Sequence, residues 1–322
     1  MDNRIELNSI APLTKITENI YKLTVRYPFG MFELNSYLIY GDQGFTVIDT
    51  GSYADESITL WKNLMDSGVK IEKIVVTHTH PDHIGLCRWF QGNYQIPVFV
   101  SDLGYKEIQK NRDHTVTNWT RKLFKEHNGP ALPEDIIGME APAYRFEPDG
   151  LFQINEPIKL GNDMYEVIWT PGHAHDHLCF YEPKQEVMIL GDLVFDHLSP
   201  IVAIWSEEDG NVLKDYFQSL DKVKAFSPKQ SLPGHGIMIE DLAMRVEETK
   251  SRHQHRLEQV VDCVKQDEKT SYQICQEVYG GLSFYKLFAP FMSTISRMVY
   301  LESIGKVKSV EKNGIIYYRA NI

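Results

Sequence analysis

The run His78-Thr79-His80-Pro81-Asp82-His83 constrains this chain more than any other stretch. It follows Ile74-Val75-Val76-Thr77, a short apolar segment with the β-branched content of a buried strand. Three imidazoles and a carboxylate at a strand end form a metal-binding pattern, because neutral imidazole nitrogen and carboxylate oxygen both ligate zinc at about 2.0–2.2 Å. A tight loop aims alternate side chains at two different ions. Taken alone, the hexapeptide has a plainer reading as an exposed polar loop rich in histidine. Three further pieces weigh against that reading. His173 closes Thr170-Pro171-Gly172-His173, Asp192 follows Gly191 after the apolar run Val187-Met188-Ile189-Leu190, and His235 lies in Leu232-Pro233-Gly234-His235-Gly236. Each is weak singly, but together they give five histidines and two aspartates at strand ends or in Gly/Pro turns. That is enough for two three-residue sets plus one bridging carboxylate. A closed structural zinc site consumes four ligands, whereas two sites sharing a carboxylate leave room for water and point to catalysis.

The order of elements around these residues repeats loosely. Strands are expected over 19–25, 36–40 and 45–49, the last two joined by the turn Gly41-Asp42-Gln43-Gly44, with an amphipathic helix over 54–67 and a strand over 98–100. Later, 164–170 precedes His173, and a hairpin of 178–181 with 187–190 precedes Asp192. Each half delivers histidines from a strand and an acid from a hairpin, which implies two α/β halves meeting at one polar edge. Residues 101–150 are charged, with scattered aromatics (Tyr105, Trp119, Phe124, Tyr144, Phe146), and read as a helical insertion forming a lid or substrate wall; the alternative is a surface excursion. Residues 241–322 predict a long polar helix over 241–267, a short one over 270–280 capped by Thr270 or Ser271, a third over 285–304, and a hairpin over 307–318 around Asn313-Gly314. Helix, helix, hairpin is the order of a winged helix. The expected division is therefore 1–240 for the hydrolytic domain and 241–322 for a linker helix plus winged-helix domain.

Val47-Ile48-Asp49-Thr50-Gly51, then HxHxDH, the PGH turn, the lone aspartate and the final PGHG resemble the metallo-β-lactamase-fold hydrolases over about residues 20–240. The resemblance implies an α/β fold, a four-layer αββα sandwich. It also implies two divalent metal ions, His78, His80 and His173 holding the first and Asp82, His83 and His235 the second, with Asp192 bridging. Asp49 matches the family's early aspartate, which orients a ligand histidine from outside the ligand shell. Asp82 is the expected proton acceptor. True metallo-β-lactamases carry a cysteine where Asp192 stands, and the diiron flavoproteins of the fold carry glutamate at the position of His80. The ligand set is instead similar to that of glyoxalase II, the lactonases and the metal-dependent ribonucleases. The tail is similar to a branch with a C-terminal winged helix that holds bacterial hydrolases and a mitochondrial single-strand endoribonuclease. Histidine and aspartate suit zinc, iron and manganese alike, with zinc the default.

The net charge of -11, from 33 Lys+Arg against 44 Asp+Glu, does not suit a general nucleic-acid coat. Residues 241–322 are close to neutral, with 12 basic and 10 acidic side chains. The third tail helix offers only Lys286 and Arg297 among many apolar residues, too apolar to track phosphates, so it is expected to pack on the hydrolase domain or on a second subunit. The expected reaction is hydrolysis of a small ester, thioester or lactone by a hydroxide bridging two metals; the alternative is a phosphodiesterase or endoribonuclease acting on single-stranded nucleic acid. The expected partners are a small-molecule substrate, no membrane, and a possible homodimer. His175 and His177 are read either as pocket residues, donating a proton or binding substrate, or as loop-holding groups bonded to the backbone. His197 has a looser claim to face the cleft, while His114, His127, His253 and His255 read as surface residues. The four cysteines form no CxxC pair, the first residues lack the order of a signal peptide, and no apolar run approaches the ~20 residues of a membrane span, so a soluble cytoplasmic protein is expected.

Overall fold

In the computed structural model, which describes residues 12–28, 30–112, 115–133, 141–281 and 283–321, two sheets pack face to face. The first sheet holds β1 (Leu13–Lys15), β2 (Ile20–Arg26), β3 (Glu33–Gly41), β4 (Gly44–Ile48), β5 (Ile71–Val75), β6 (Val98–Ser101) and β7 (Gly150–Phe152) in chain order. Pairing is antiparallel as far as β4 and parallel from there to β7. The second sheet contains β8 (Ile158–Leu160), β9 (Asp163–Trp169), β10 (Leu178–Glu182), β11 (Val187–Gly191) and β12 (Gln230–Pro233), in the order β12-β11-β10-β9-β8. Only its β11–β12 pair is parallel.

Three buried clusters fix the layering. Tyr37, Ile39 and Ile48 of the first sheet meet Tyr165, Phe180 and Ile189 of the second. On the outer face of the first sheet, α1 (Asp55–Asp66), α3 (Cys87–Tyr94) and α4 (Asp102–Arg112) bury Trp61, Phe90 and Ile108 against Leu23, Val47 and Val98. On the outer face of the second, α6 (Val212–Lys224), α7 (Leu242–Cys263), α8 (Ser271–Tyr279) and α9 (Phe284–Ser303) pack over Cys179, Met188 and Leu190. This is the expected four-layer αββα sandwich, in which each sheet hides both faces. Trp61 also donates its indole N–H to Thr50 O at 2.8 Å, which ties α1 to the loop after β4.

The tail follows the expected order. Thr270 caps α8 in a reciprocal capping box with Gln273, and β13 (Val307–Lys312) pairs antiparallel with β14 (Ile315–Ala320). The apolar face of α9, through Phe291, Met292, Ile295 and Met298, is buried in one continuous core with α6 and α7. The core therefore runs across residue 240, and the face on which the dimer expectation rests is used within the chain.

One boundary shifts and one expectation needs correction. The stretch 101–150 is the connection between neighbouring parallel strands, and its two ends are strand residues: β6 includes Ser101 and β7 starts at Gly150. Its described part comprises α4, α5 (Thr115–Glu126) and a 3₁₀ turn at Ala141–Tyr144. Phe124 of α5 packs on Phe288 and Phe291 of α9, and Lys110 and Lys122 pair with Glu208 and Glu207. The expected surface position of His127 and His253 also fails. His127 is buried, bonded through Nδ1 to Ser271 Oγ (2.9 Å) and stacked on Tyr318, because α8 and β14 close over the end of α5. His253 is buried against Tyr216 and Phe217, because α7 turns that position toward α6. His255 is exposed as expected, and His114 lies outside the described residues. Among the described residues, no helix is long and apolar enough to cross a membrane.

Candidate metal centre

The seven candidate ligands all sit where loops leave the carboxyl ends of strands. β5 is followed by the loop with His78 and His80, and Pro81 then opens α2 (Pro81–Ile84), which carries Asp82 and His83. Proline suits that first helical position because its ring fixes φ and no N–H is wasted. β9 leads to His173, β11 ends directly before Asp192, and β12 leads to His235.

Folding brings these residues together. Ligand atoms of His78, His80 and His173 lie within 4.8 Å of one another, as do those of Asp82, His83 and His235, and those of His78, His83 and Asp192. Asp192 stands between the groups. Its Oδ1 is 3.3 Å from His83 Nε2, and its Oδ2 is 3.4 Å from His235 Nε2 and 3.6 Å from His173 Nε2. Asp82 Oδ2 is 3.3 Å from His235 Nε2. The Nε2 atoms of His83, His173 and His235 and Oδ1 of Asp192 are buried without a hydrogen bond among the described residues. Leaving one such atom unpaired costs about 1–3 kcal/mol, so several turned toward one another fit a cation between them.

The outward nitrogens of these three histidines are occupied. Nδ1–H of His83 donates to Asp49 Oδ2 (2.8 Å), that of His173 to Ile201 O (2.7 Å), and that of His235 to Glu33 O (2.5 Å). Each bond fixes the tautomer that leaves an Nε2 lone pair facing inward. Asp49 also accepts from Thr77 N (2.8 Å) and Thr77 Oγ1 (2.7 Å), and the Thr77 oxygen lies 3.1 Å from His78 Nδ1. Asp49 holds φ 58°, a left-handed conformation that costs a non-glycine residue about 1–3 kcal/mol and that these bonds stabilise. An Asp49→Ala chain is expected to bind divalent metal about 10–100-fold more weakly, read by competition with a chromophoric chelator.

The accessory histidines separate. His177 is fully buried, with Nδ1 bonded to Thr170 Oγ1 (2.8 Å) and Nε2 accepting from the Asp192 backbone N–H (2.9 Å). It holds the loop, and the pocket role considered for it does not fit because neither nitrogen is free. His175 is exposed and lines a cleft of about 240 Å³ beside His173, between Trp169 and Trp205. His197 is exposed and pairs with Asp196 at 2.8 Å.

Several members of the site carry no signal in sequence. Tyr27 places its hydroxyl 3.4 Å from Asp82 Oδ2. Arg245 of α7 is buried and donates to Phe195 O (2.6 Å) and Leu198 O (2.7 Å), in the loop between Asp192 and Ile201. Gly234 is required by close approach, since a Cβ there would stand 2.3 Å from Asp192 Oδ1.

Burial, with His173 alongside, lowers His80 to about 3, which favours the neutral imidazole that a metal requires. Burial would also lower His235, but the Asp192 and Asp82 carboxylates outweigh it and raise the imidazole to about 10; His83 is raised in the same way. Burial would raise Asp82, but His83 and His235 outweigh that and lower it to about 2. Without metal the carboxylates favour the protonated form of both imidazoles, and a metal that takes up their Nε2 lone pairs competes with those protons. Apparent metal affinity is therefore expected to rise with pH through the neutral range, about tenfold per unit for each proton released. Calorimetry in buffers of different ionisation enthalpy would count those protons.

The family model described as the metallo-beta-lactamase superfamily matches residues 30–235. The chain belongs to that superfamily. Among metallo-beta-lactamase relatives, it is 25% identical over 322 residues to the probable metallo-hydrolase YqjP of Bacillus subtilis (strain 168), covering 94% of this chain and 98% of that protein. It is 29% identical over 170 residues to the atrochrysone carboxyl ACP thioesterase of Aspergillus fumigatus, covering 47% of this chain and 51% of that one. A metallo-beta-lactamase family protein from Thermus thermophilus superposes with a TM-score of 0.80 at 25% identity, over 94% of this chain and 99% of the other. Such coverage takes the shared fold beyond residue 235 into the tail. The chain is thus a metallo-hydrolase of this superfamily, and its His/Asp cluster fits a divalent metal site.

Proposed function

We propose that this chain is a dinuclear metal hydrolase acting on small esters, thioesters or lactones. The observation that carries the reading is the convergence of unpartnered, buried Nε2 atoms on Asp192. His78, His80 and His173 would hold one ion, Asp82, His83 and His235 the other, with Asp192 spanning both; zinc is the first choice and iron or manganese suit the same donors. Bound there, two such ions supply an acidified water and polarise a substrate carbonyl. Asp82, with Tyr27 and His235 against one oxygen, is placed to take the water's proton. In the net reaction, water's oxygen joins the acyl carbon, the bond to oxygen or sulfur breaks, and the alcohol or thiol leaves with a proton.

Two observations favour carbonyl over phosphodiester substrates. Among the described residues, no lysine or arginine is hydrogen-bonded or ion-paired to the seven ligands. The apolar face of α9 is spent on the core, so the helix that a winged module would lay in a groove is occupied. The thioesterase likeness points the same way. The helix, helix, hairpin tail is read as a winged helix that buttresses the site, and the four free cysteines suit a cytoplasmic setting. The test is turnover of thioester, lactone and aryl-ester substrates, beside bis-p-nitrophenyl phosphate and labelled single-stranded RNA, with and without chelator. Carbonyl turnover lost on chelation is expected. RNA cleavage abolished by Asp192→Ala, with no carbonyl turnover, would put the endoribonuclease reading in its place.

A further inference from the structure

Six of the twelve exposed large apolar side chains among the described residues lie in four loops around the metal centre: Met31, Phe32, Tyr53, Leu198, Ile201 and Ile237. Each loop is anchored to the cluster. The β2–β3 loop runs from Tyr27, which touches Asp82, to Glu33, whose carbonyl orients His235. The β4–α1 loop starts at Asp49, the loop after β11 holds Asp192 and Ile201, and Ile237 follows His235 by two residues. The loops also touch one another. Asp196 abuts Gly236, Glu33 meets His235, and Ser52 bonds the Tyr27 hydroxyl. The six side chains therefore stand on neighbouring loops, a belt around the centre from Ile201 round to Tyr53.

Exposed apolar side chains are ordinary when scattered singly, whereas several gathered around one site mark a binding surface. Phe32 holds φ 66° where Tyr27 N–H donates to its carbonyl at 3.0 Å and closes the loop, and its ring is 65% exposed.

We propose that the belt seats the apolar acyl chain of an ester or thioester whose carbonyl enters the metal centre, so that the substrate is an extended or ring-bearing acyl group rather than an acetyl-sized one. This rests on the carbonyl-hydrolase reading, and its failure is separable from the failure of that reading. The experiment uses the zinc-loaded full chain and N-acetylcysteamine thioesters with acyl chains of two to eight carbons, below their critical micelle concentrations. Half of the gain of full burial corresponds to about a two-fold rise in kcat/KM per methylene. Phe32→Ser and Ile237→Ser are expected to flatten that slope, whereas a folding defect would scale every chain length alike. Uniform kcat/KM across the series, with short thioesters still hydrolysed, would overturn the belt and leave the hydrolase standing. If no thioester turns over, calorimetric Kd values for the matching acyl amides still decide: tightening with length supports the belt, and constant values contradict it.

Discussion

Asp192→Ala is expected to lower kcat/KM for ester or thioester hydrolysis by about 10³-fold or more, equivalent to about 4 kcal/mol at the barrier. The reason is geometric. Among the described residues its carboxylate is the one group that lies 3.3–3.6 Å from His83, His173 and His235 together, so both halves of the proposed centre would lose a donor at once. His235→Ala removes one donor from one half, and its effect on metal content is expected to be confined to the second ion. Asp192→Asn keeps the volume against Gly234 and separates charge from packing. Metal content by mass spectrometry and kcat/KM on the same samples check this, with a thermal melt to show that the fold persists. Full turnover by Asp192→Ala would remove the residue from the centre.

Arg245→Ala is expected to cost about 3 kcal/mol of stability and to weaken metal binding about 10–100-fold, although Arg245 touches no ligand. Its guanidinium satisfies the carbonyls of Phe195 and Leu198 and is itself buried, so removal strands two acceptors and opens a void. Those carbonyls belong to the loop that leaves Asp192 and reaches Ile201, whose own carbonyl fixes the tautomer of His173. Arg245→Lys should recover part of the stability through one bond and less of the affinity, because ammonium cannot span both carbonyls. Denaturant unfolding and chelator competition on the three proteins separate the two effects. Because α7 lies beyond residue 240, this would also make the tail part of the metal centre's support.

Most of the fold was legible because its elements rest on local pattern. The apolar runs of β4, β5, β10 and β11, the Gly-rich turn at 41–44, the Thr270 cap and the Asn313-Gly314 hairpin each have a short-range cause. The candidate ligands were legible for the same reason, since each stands at or just beyond a strand end with its turn residues beside it. What escaped depends on tertiary approach. Ile201 and Glu33 act through backbone carbonyls, which any residue would supply, and Tyr27 matters only because the loop after β2 brings its hydroxyl to 3.4 Å from Asp82. His127 and His253 sit in polar sequence, and only the packing of α5, α6 and α8 buries them. His177 is indistinguishable in sequence from its neighbour His175, yet one turns into the loop and the other out of it.

The most direct measurement on the dinuclear centre is the metal content of the full chain reconstituted with zinc, by native mass spectrometry together with elemental analysis. Close to two ions per chain is the expected result, with both lost on chelation alongside thioester hydrolysis. A chain that takes up no metal, or that holds one ion at saturating zinc while hydrolysing at full rate, would contradict the paired site built on Asp192.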